Sequence, residues 1–259
     1  TIPEYREAET ISLEGEFVFP GTYVFEKGET LLSVIERAGG FTDDAFVGGS
    51  IFLRQSLRER EQEEIERLSN LLNDEIAAAT LDDVGTDAFS EDTLQAQQAA
   101  LMSLSSAVAT GRLVIPLEDV IADRSPDILL EDGDRLLIPK FSQEVTIIGE
   151  VRRPTSYLFN PDFDQLDYIE KSGGYNERAD KRNLYVVKAG GEVMIPKRRL
   201  FRFLPVSKRI EAGDTIVVPL DARSSVLRGV PLFSEISEII FQLSLGAAAI
   251  NSFNNANNN

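Results

Sequence analysis

The chain has 259 residues, 42% of them hydrophobic, with 26 Lys and Arg against 43 Asp and Glu for a formal charge of -17. That balance is ordinary for a chain able to bury a core, and the length suits two small domains or one with insertions. The absence of cysteine, histidine and tryptophan excludes thiol nucleophiles, disulfides, histidine bases and zinc sites of the usual ligand set. Such acidity argues against nucleic acid as a partner, and it is uneven: residues 1–143 hold 11 basic against 29 acidic residues, residues 144–259 hold 15 against 14.

Residues 1–10 read as the end of a preceding module or a linker, because Thr1-Ile2-Pro3 resembles the tail of the GD…IP strands found further on. From Ile11, ISLEGEF and GTYVF predict two strands joined through Pro20-Gly21, with proline presetting φ at the second turn position and glycine taking positive φ at the third. TLLSVIERAGG predicts a short helix in which Thr30 caps the first turn, Leu32 and Ile35 face inward, and Gly39 supplies the left-handed stop. A strand follows. Between about Gln55 and Thr110, two segments then place apolar residues at helical spacing, Ile65, Leu68, Leu72 and Ile76 in one, Leu94, Leu101, Leu104 and Val108 in the other, around the breaker-rich LDDVGTDAFS. This predicts a helical hairpin with 3 Arg against 12 Asp and Glu, either a solvated projecting pair or a contact surface for neighbouring subunits. GRLVIP and EDGDRLLIP predict the strands that close the unit.

The same grammar then recurs. At an offset of 134, residues 11–54 align with 145–188 without a gap, through Gly15/Gly149, Glu16/Glu150, Tyr23/Tyr157, Phe25/Phe159, Ile35/Ile169 and the pairs Gly39-Gly40/Gly173-Gly174. At an offset of 80, residues 111–139 align with 191–219, through Gly111/Gly191, Pro116/Pro196, Gly133/Gly213 and Asp134/Asp214. In the second copy Asp164 stands as the helix cap, Leu166 and Ile169 face inward, and Pro154-Thr155 requires a turn of another type. The change of offset marks the acidic segment as an insertion at a hairpin tip, which in the second copy is Ala189-Gly190-Gly191. Strand, strand, helix, strand, strand is the order of a β-grasp. The expected class is α+β: one domain at residues 11–139 with its insertion at about 55–110, a second at 140–219, and a tail at 220–259.

Little in either copy suggests covalent chemistry. The GG pairs serve helix ends, or let a ligand approach the backbone closely; neither belongs to a phosphate loop. Asp43-Asp44 and Asp82-Asp83 read as solvated loop charge, and no GxSxG or SxxK context appears, so neither a catalytic residue, a cofactor nor a metal site is expected. Lys197, Arg198, Arg199 and Arg202 in KRRLFRF, with Arg152 and Arg153 at a turn, form an exposed basic face or a set that contacts anionic sugar or lipid phosphate. In the tail, Phe233, Ile236, Ile240, Leu243 and Ile250 line one face of a predicted amphipathic helix of about 30 Å. It either joins subunits in a membrane or docks on the protein's own sheet, and NSFNNANNN ends the chain as a polar tail.

GEFVFPGTY…GETLLSVIERAGGFTDDA, repeated as GEVRRPTSY…DYIEKSGGYNERA and closed by the GD…IP and GD…VP strands, resembles the SLBB (soluble ligand-binding β-grasp) domains of Wza-type outer-membrane polysaccharide export proteins. The resemblance covers residues 11–219. It implies a non-enzymatic transport component in the periplasm, associated with the outer membrane. It further implies a ring-shaped homo-oligomer for capsular polysaccharide or exopolysaccharide, whose partners are the polysaccharide and an inner-membrane export and chain-length kinase complex. The acidic insertion departs from the core of such a domain.

Overall fold

The structure, a computed structural model, describes residues 8–82, 101–102, 104, 107–195 and 210–221. The first repeat contains β1 (Thr10–Gly15), β2 (Gly21–Val24), α1 (Leu31–Arg37), a 3-10 turn (Val47–Gly49), β3 (Ile51–Leu53), β4 (Arg112–Leu113), a short helix α3 (Leu117–Ile121) and β5 (Asp134–Ile138). Between β3 and β4 runs the long helix α2 (Gln55–Asp82). The second repeat contains β6 (Glu144–Gly149), β7 (Thr155–Leu158), α4 (Gln165–Lys171), β8 (Tyr185–Val187), β9 (Val193–Met194) and β10 (Thr215–Val218). Residues up to Phe52 together with Leu113–Asp221 form one compact unit, and Leu53–Arg112 belongs to another.

The duplication read in the sequence is a duplication of topology. The two five-stranded sheets run β2-β1-β5-β3-β4 and β7-β6-β10-β8-β9, element for element the same. In each, the opening strand pairs antiparallel with the second and parallel with the last, Leu13 opposite Leu136 and Ile147 opposite Ile216. A parallel neighbour requires a crossover, and each chain passes over the sheet through its helix to supply one. The sheet face under α1 buries Ile11, Leu13, Leu136 and Ile138 against Leu31, Val34 and Ile35. Under α4, Val145, Ile147, Ile216 and Val218 pack with Tyr168 and Ile169. Each such aliphatic side chain, fully withdrawn from water, contributes about 1.5–3 kcal/mol before its ordering cost.

Several expectations need correction. The β1–β2 connection is not a tight Pro-Gly turn: residues 17–19 leave the sheet, Phe17 bridging Phe41 and the Phe19 N–H reaching the Ala38 carbonyl at 3.0 Å. The second repeat makes the same excursion, so its Pro154-Thr155 needs no different turn; Val151 bridges Tyr175 there. Leu166 is 53% exposed, because the buried face of α4 is made by Tyr168 and Ile169, two and three residues further on. Thr30 makes no side-chain cap. The α1 N-terminus is satisfied by the loop before β5, through Leu31 N–H to the Ile128 carbonyl and Leu32 N–H to Asp127 Oδ1. Asp164 does cap α4, in a reciprocal box with Asp167.

In the insertion, Ile65, Leu68, Leu72 and Leu104 are buried, as their spacing predicts, and helical backbone returns at Leu101, Met102 and Leu104. Val108 is 63% exposed and Ala109 takes the inward position, because helical backbone has ended before it. The root is tightly made. Arg54 N–H donates to the Gly111 carbonyl at 2.8 Å, and Glu61 Oε2 accepts the N–H groups of Thr110 and Gly111 at 2.9 and 2.8 Å. Leu94, the Ile76 side chain and the predicted tail helix with Phe233, Ile236, Ile240, Leu243 and Ile250 lie outside the described residues, as do residues 1–7.

Candidate functional site

Three repeated motifs build the frame of the site. Gly15 and Gly149 end the opening strands at φ +84° and +89°, where a Cβ would lie 2.1 Å from the carbonyl oxygen of Ile138 or Val218. Only glycine lets the opening and closing strands meet so closely. Glu16 and Glu150 follow; their carboxylates accept from the Thr42 hydroxyl and the Asn176 amide, tying the strand exit to the segment beyond the helix. The third motif is GD. Asp134 and Asp214, both at most 1% exposed, accept the N–H groups of Glu131 and Glu211 at 2.9 and 2.8 Å and fix the turn into the last strand.

Asp214 also receives the Lys188 ammonium at 2.8 Å. Burial pushes the Asp214 carboxyl above its usual range despite this partner. Burial pulls Lys188 the other way, but its hydrogen bonds to Asp214 and Glu211 outweigh it and hold the ammonium protonated above the ordinary lysine range. This pair locks the β8–β9 hairpin to the last strand. Its role is structural: Asp214 Oδ2 takes both the ammonium and the Glu211 N–H, while Oδ1 is buried without a hydrogen-bond partner among the described residues.

Helix, glycine pair and excursion loop together make a corner at one end of each sheet. Gly39 and Gly40 have φ of +78° and +79°, Gly173 and Gly174 +83° and +85°, with the Gly40 and Gly174 N–H groups returning to the carbonyls of Ile35 and Ile169. The sequence anticipated one left-handed glycine per helix, and both are. The excursion loop lies against this end: Val18 N–H to Gly40 carbonyl and Phe19 N–H to Ala38 carbonyl in one repeat, Arg152 to Gly174 and Arg153 to Ser172 in the other, all at 3.0 Å. Arg152 and Arg153 are therefore exposed on a fixed backbone, and the Arg152 stem covers Gly173. Lys197, Arg198, Arg199 and Arg202 lie outside the described residues.

The sequence reading missed the contact that joins the repeats. Phe46 stacks edge-on against Phe141, ring centroids 5.3 Å apart, and lies over Gly213, where a Cβ would come within 2.7 Å of the ring. A Cβ on Gly190 would stand 2.9 Å from the Gly48 carbonyl. The tip of the second repeat's hairpin thus rests on the 3-10 turn of the first. The signal was the FVGG run, whose glycines matched nothing in the second copy. Among the described residues no cluster of three or more carboxylates could hold a metal ion, and no helix is long and apolar enough to cross a membrane.

A duplicated mixed sheet with a helix ended by GG and a GD turn before the last strand defines the class: residues 13–62 and 145–197 match the family model of the SLBB domain. The chain carries two SLBB domains, as the resemblance of its repeats implied. Over 249 residues it is 28% identical to two curated forms of the polysialic acid transport protein KpsD of Escherichia coli, covering 95% of this chain and 41% of each relative. The chain thus spans less than half the length of the relatives it matches.

Proposed function

We propose that this chain is a non-enzymatic component of a capsular polysaccharide or exopolysaccharide export machine. In this reading its SLBB domains build a periplasmic ring under or in the outer membrane, as a homo-oligomer that cooperates with an inner-membrane export and chain-length kinase complex. The observation that carries the reading is similarity along 95% of the chain to proteins described as transporters of polysialic acid, together with two SLBB matches in tandem. The strand order of each sheet, with its parallel first and last strands under a crossover helix, supports reading each domain as a β-grasp. A transport role also suits a chain without cysteine or histidine, whose repeated polar residues are engaged in holding turns and strand ends.

The domain limits at 11–139 and 140–219 follow from the repeat, and the tail at 220–259 is assigned to subunit or membrane contact. The test is genetic and hydrodynamic. Deleting the gene in its own host should abolish surface polysaccharide while leaving polymer synthesis intact, and normal surface polymer in the deletion strain would refute the role. Sedimentation of the full chain, with and without residues 230–259, in detergent and in buffer, should show a closed assembly that depends on the tail. A monomer under every condition would instead favour a periplasmic module that binds a glycan or protein partner on its own.

A further inference from the structure

The two glycine corners share a backbone and differ in chemistry, and the difference has one direction. Where the first repeat has Val18, Phe19, Val47 and Gly48, the second has Arg152, Arg153, Lys181 and Arg182, and Arg178 replaces Asp44. Val18 and Phe19 are 44% and 64% exposed, so the first corner is an apolar surface and the second a basic one. All five cations are exposed, and none forms an ion pair with another described residue. They are held together by backbone. Arg152 N–H bonds to the Gly174 carbonyl, Val151 bridges Tyr175, and the Lys181 ammonium sits 5.5 Å from the centre of the Tyr175 ring.

Two acids share this loop, Glu177 and Asp180. Asp180 is committed to the loop itself, accepting the N–H groups of Arg182 and Asn183 and the Asn183 amide. In a half of the chain that is otherwise balanced in charge, the corner therefore concentrates positive charge around an aromatic ring. That combination suits a sugar acid polymer. Guanidinium forks take carboxylates in pairs, and an aromatic ring beside them offers a flat apolar surface to the sugar ring's C–H face. A lipid phosphate would satisfy the charges but make no use of the part of the Tyr175 ring that the core leaves uncovered.

We infer that the corner of the second SLBB domain, formed by Arg152, Arg153, Tyr175, Lys181 and Arg182, is a contact site for a carboxylate-bearing polysaccharide. The inference rests on the export reading, and it supplies what that reading leaves open, the chemistry of the polymer and the domain that touches it. Binding by the purified full chain and export in the host are separate measurements, so either can fail without the other.

Titration of the full chain at low ionic strength would use polygalacturonate oligosaccharides, neutral dextran, inorganic polyphosphate, and phosphatidylcholine vesicles with and without phosphatidylglycerol. Polygalacturonate should bind in preference to dextran and polyphosphate, and more weakly as salt rises. The triple variant R152Q/R153Q/K181Q should melt like the parent and bind at least about tenfold more weakly, the loss of one charge-assisted contact or more. R37Q in the first repeat, which removes a cation already paired with Glu29, should leave affinity unchanged. No binding of polygalacturonate, equal binding by the triple variant, or polyphosphate binding as tight as polygalacturonate would overturn the assignment. Retention on phosphatidylglycerol vesicles that excess polygalacturonate does not displace would overturn it in favour of lipid.

Discussion

The two SLBB domains keep the same strand order and the same glycines yet close their edges by different means. In the first, the α1 N-terminus is satisfied by Asp127 and Ile128 of a distant loop; in the second, α4 carries its own capping box at Asp164 and Asp167. The first extends its hairpin into an acidic insertion that opens with the long helix α2, whereas the second ends it at Gly190-Gly191 and rests it on the first domain's 3-10 turn. Duplication fixed the parts that backbone geometry dictates, namely the glycine at the strand exit, the left-handed pair after the helix and the aspartate of the last turn. It left free whatever only side chains decide, and charge has drifted furthest there.

Substitutions that ask the same question of both copies sharpen this contrast. The largest effect is expected at the strand exits: Gly15→Ala and Gly149→Ala each place a Cβ 2.1 Å from a backbone carbonyl at positive φ, and each should cost at least about 3 kcal/mol in denaturant unfolding. Comparable losses in the two copies are expected; tolerance of either substitution would show that the frame is not shared.

Lys188→Met comes next. It strips the ammonium from Asp214, a carboxylate 1% exposed, and should cost roughly 3–5 kcal/mol at neutral pH. Without the lysine, burial drives the Asp214 carboxyl higher still, so the folded variant takes up a proton that the unfolded chain does not hold. Its stability must then fall as pH rises from the ordinary carboxylate range through the raised value, and the deficit relative to the parent should shrink on acidification. A deficit independent of pH would mean that the pair is not what holds the hairpin. In the parent, Lys188 contributes stability that is complete below the ordinary lysine pKa and lost as pH rises through its higher folded value.

The smallest and most discriminating test is at the helix caps. Asp164→Ala should lose about 1 kcal/mol, while Thr30→Ala, whose hydroxyl caps nothing, should stay within about 0.5 kcal/mol. Equal effects would contradict the difference between the two helix starts.

Much of the architecture was legible in the residues because period and repetition carry it. The offsets of 134 and 80, the GG stops and the hairpin at Ala189-Gly190-Gly191 all correspond to observed backbone. What failed was local phase and long-range partnership. Leu166 fits a helical face as well as Tyr168 does, and only packing decides that Tyr168 is the buried one. Thr30 looks like a cap, yet its helix is served by residues nearly a hundred positions away, which no local pattern records. Of the candidate site, Arg152 and Arg153 were visible as a basic pair. Their association with Lys181 was not, because it passes through a bridge between Val151 and Tyr175 and a cation resting on the tyrosine ring.

The root of the acidic insertion has a practical consequence. Arg54 and Gly111, where the added segment departs and returns, stand one hydrogen bond apart, with Glu61 clasping the returning strand. Any module whose own ends lie side by side can be mounted on such a gate at little entropic cost. It is therefore the place to splice in a fluorescent reporter without disturbing either sheet.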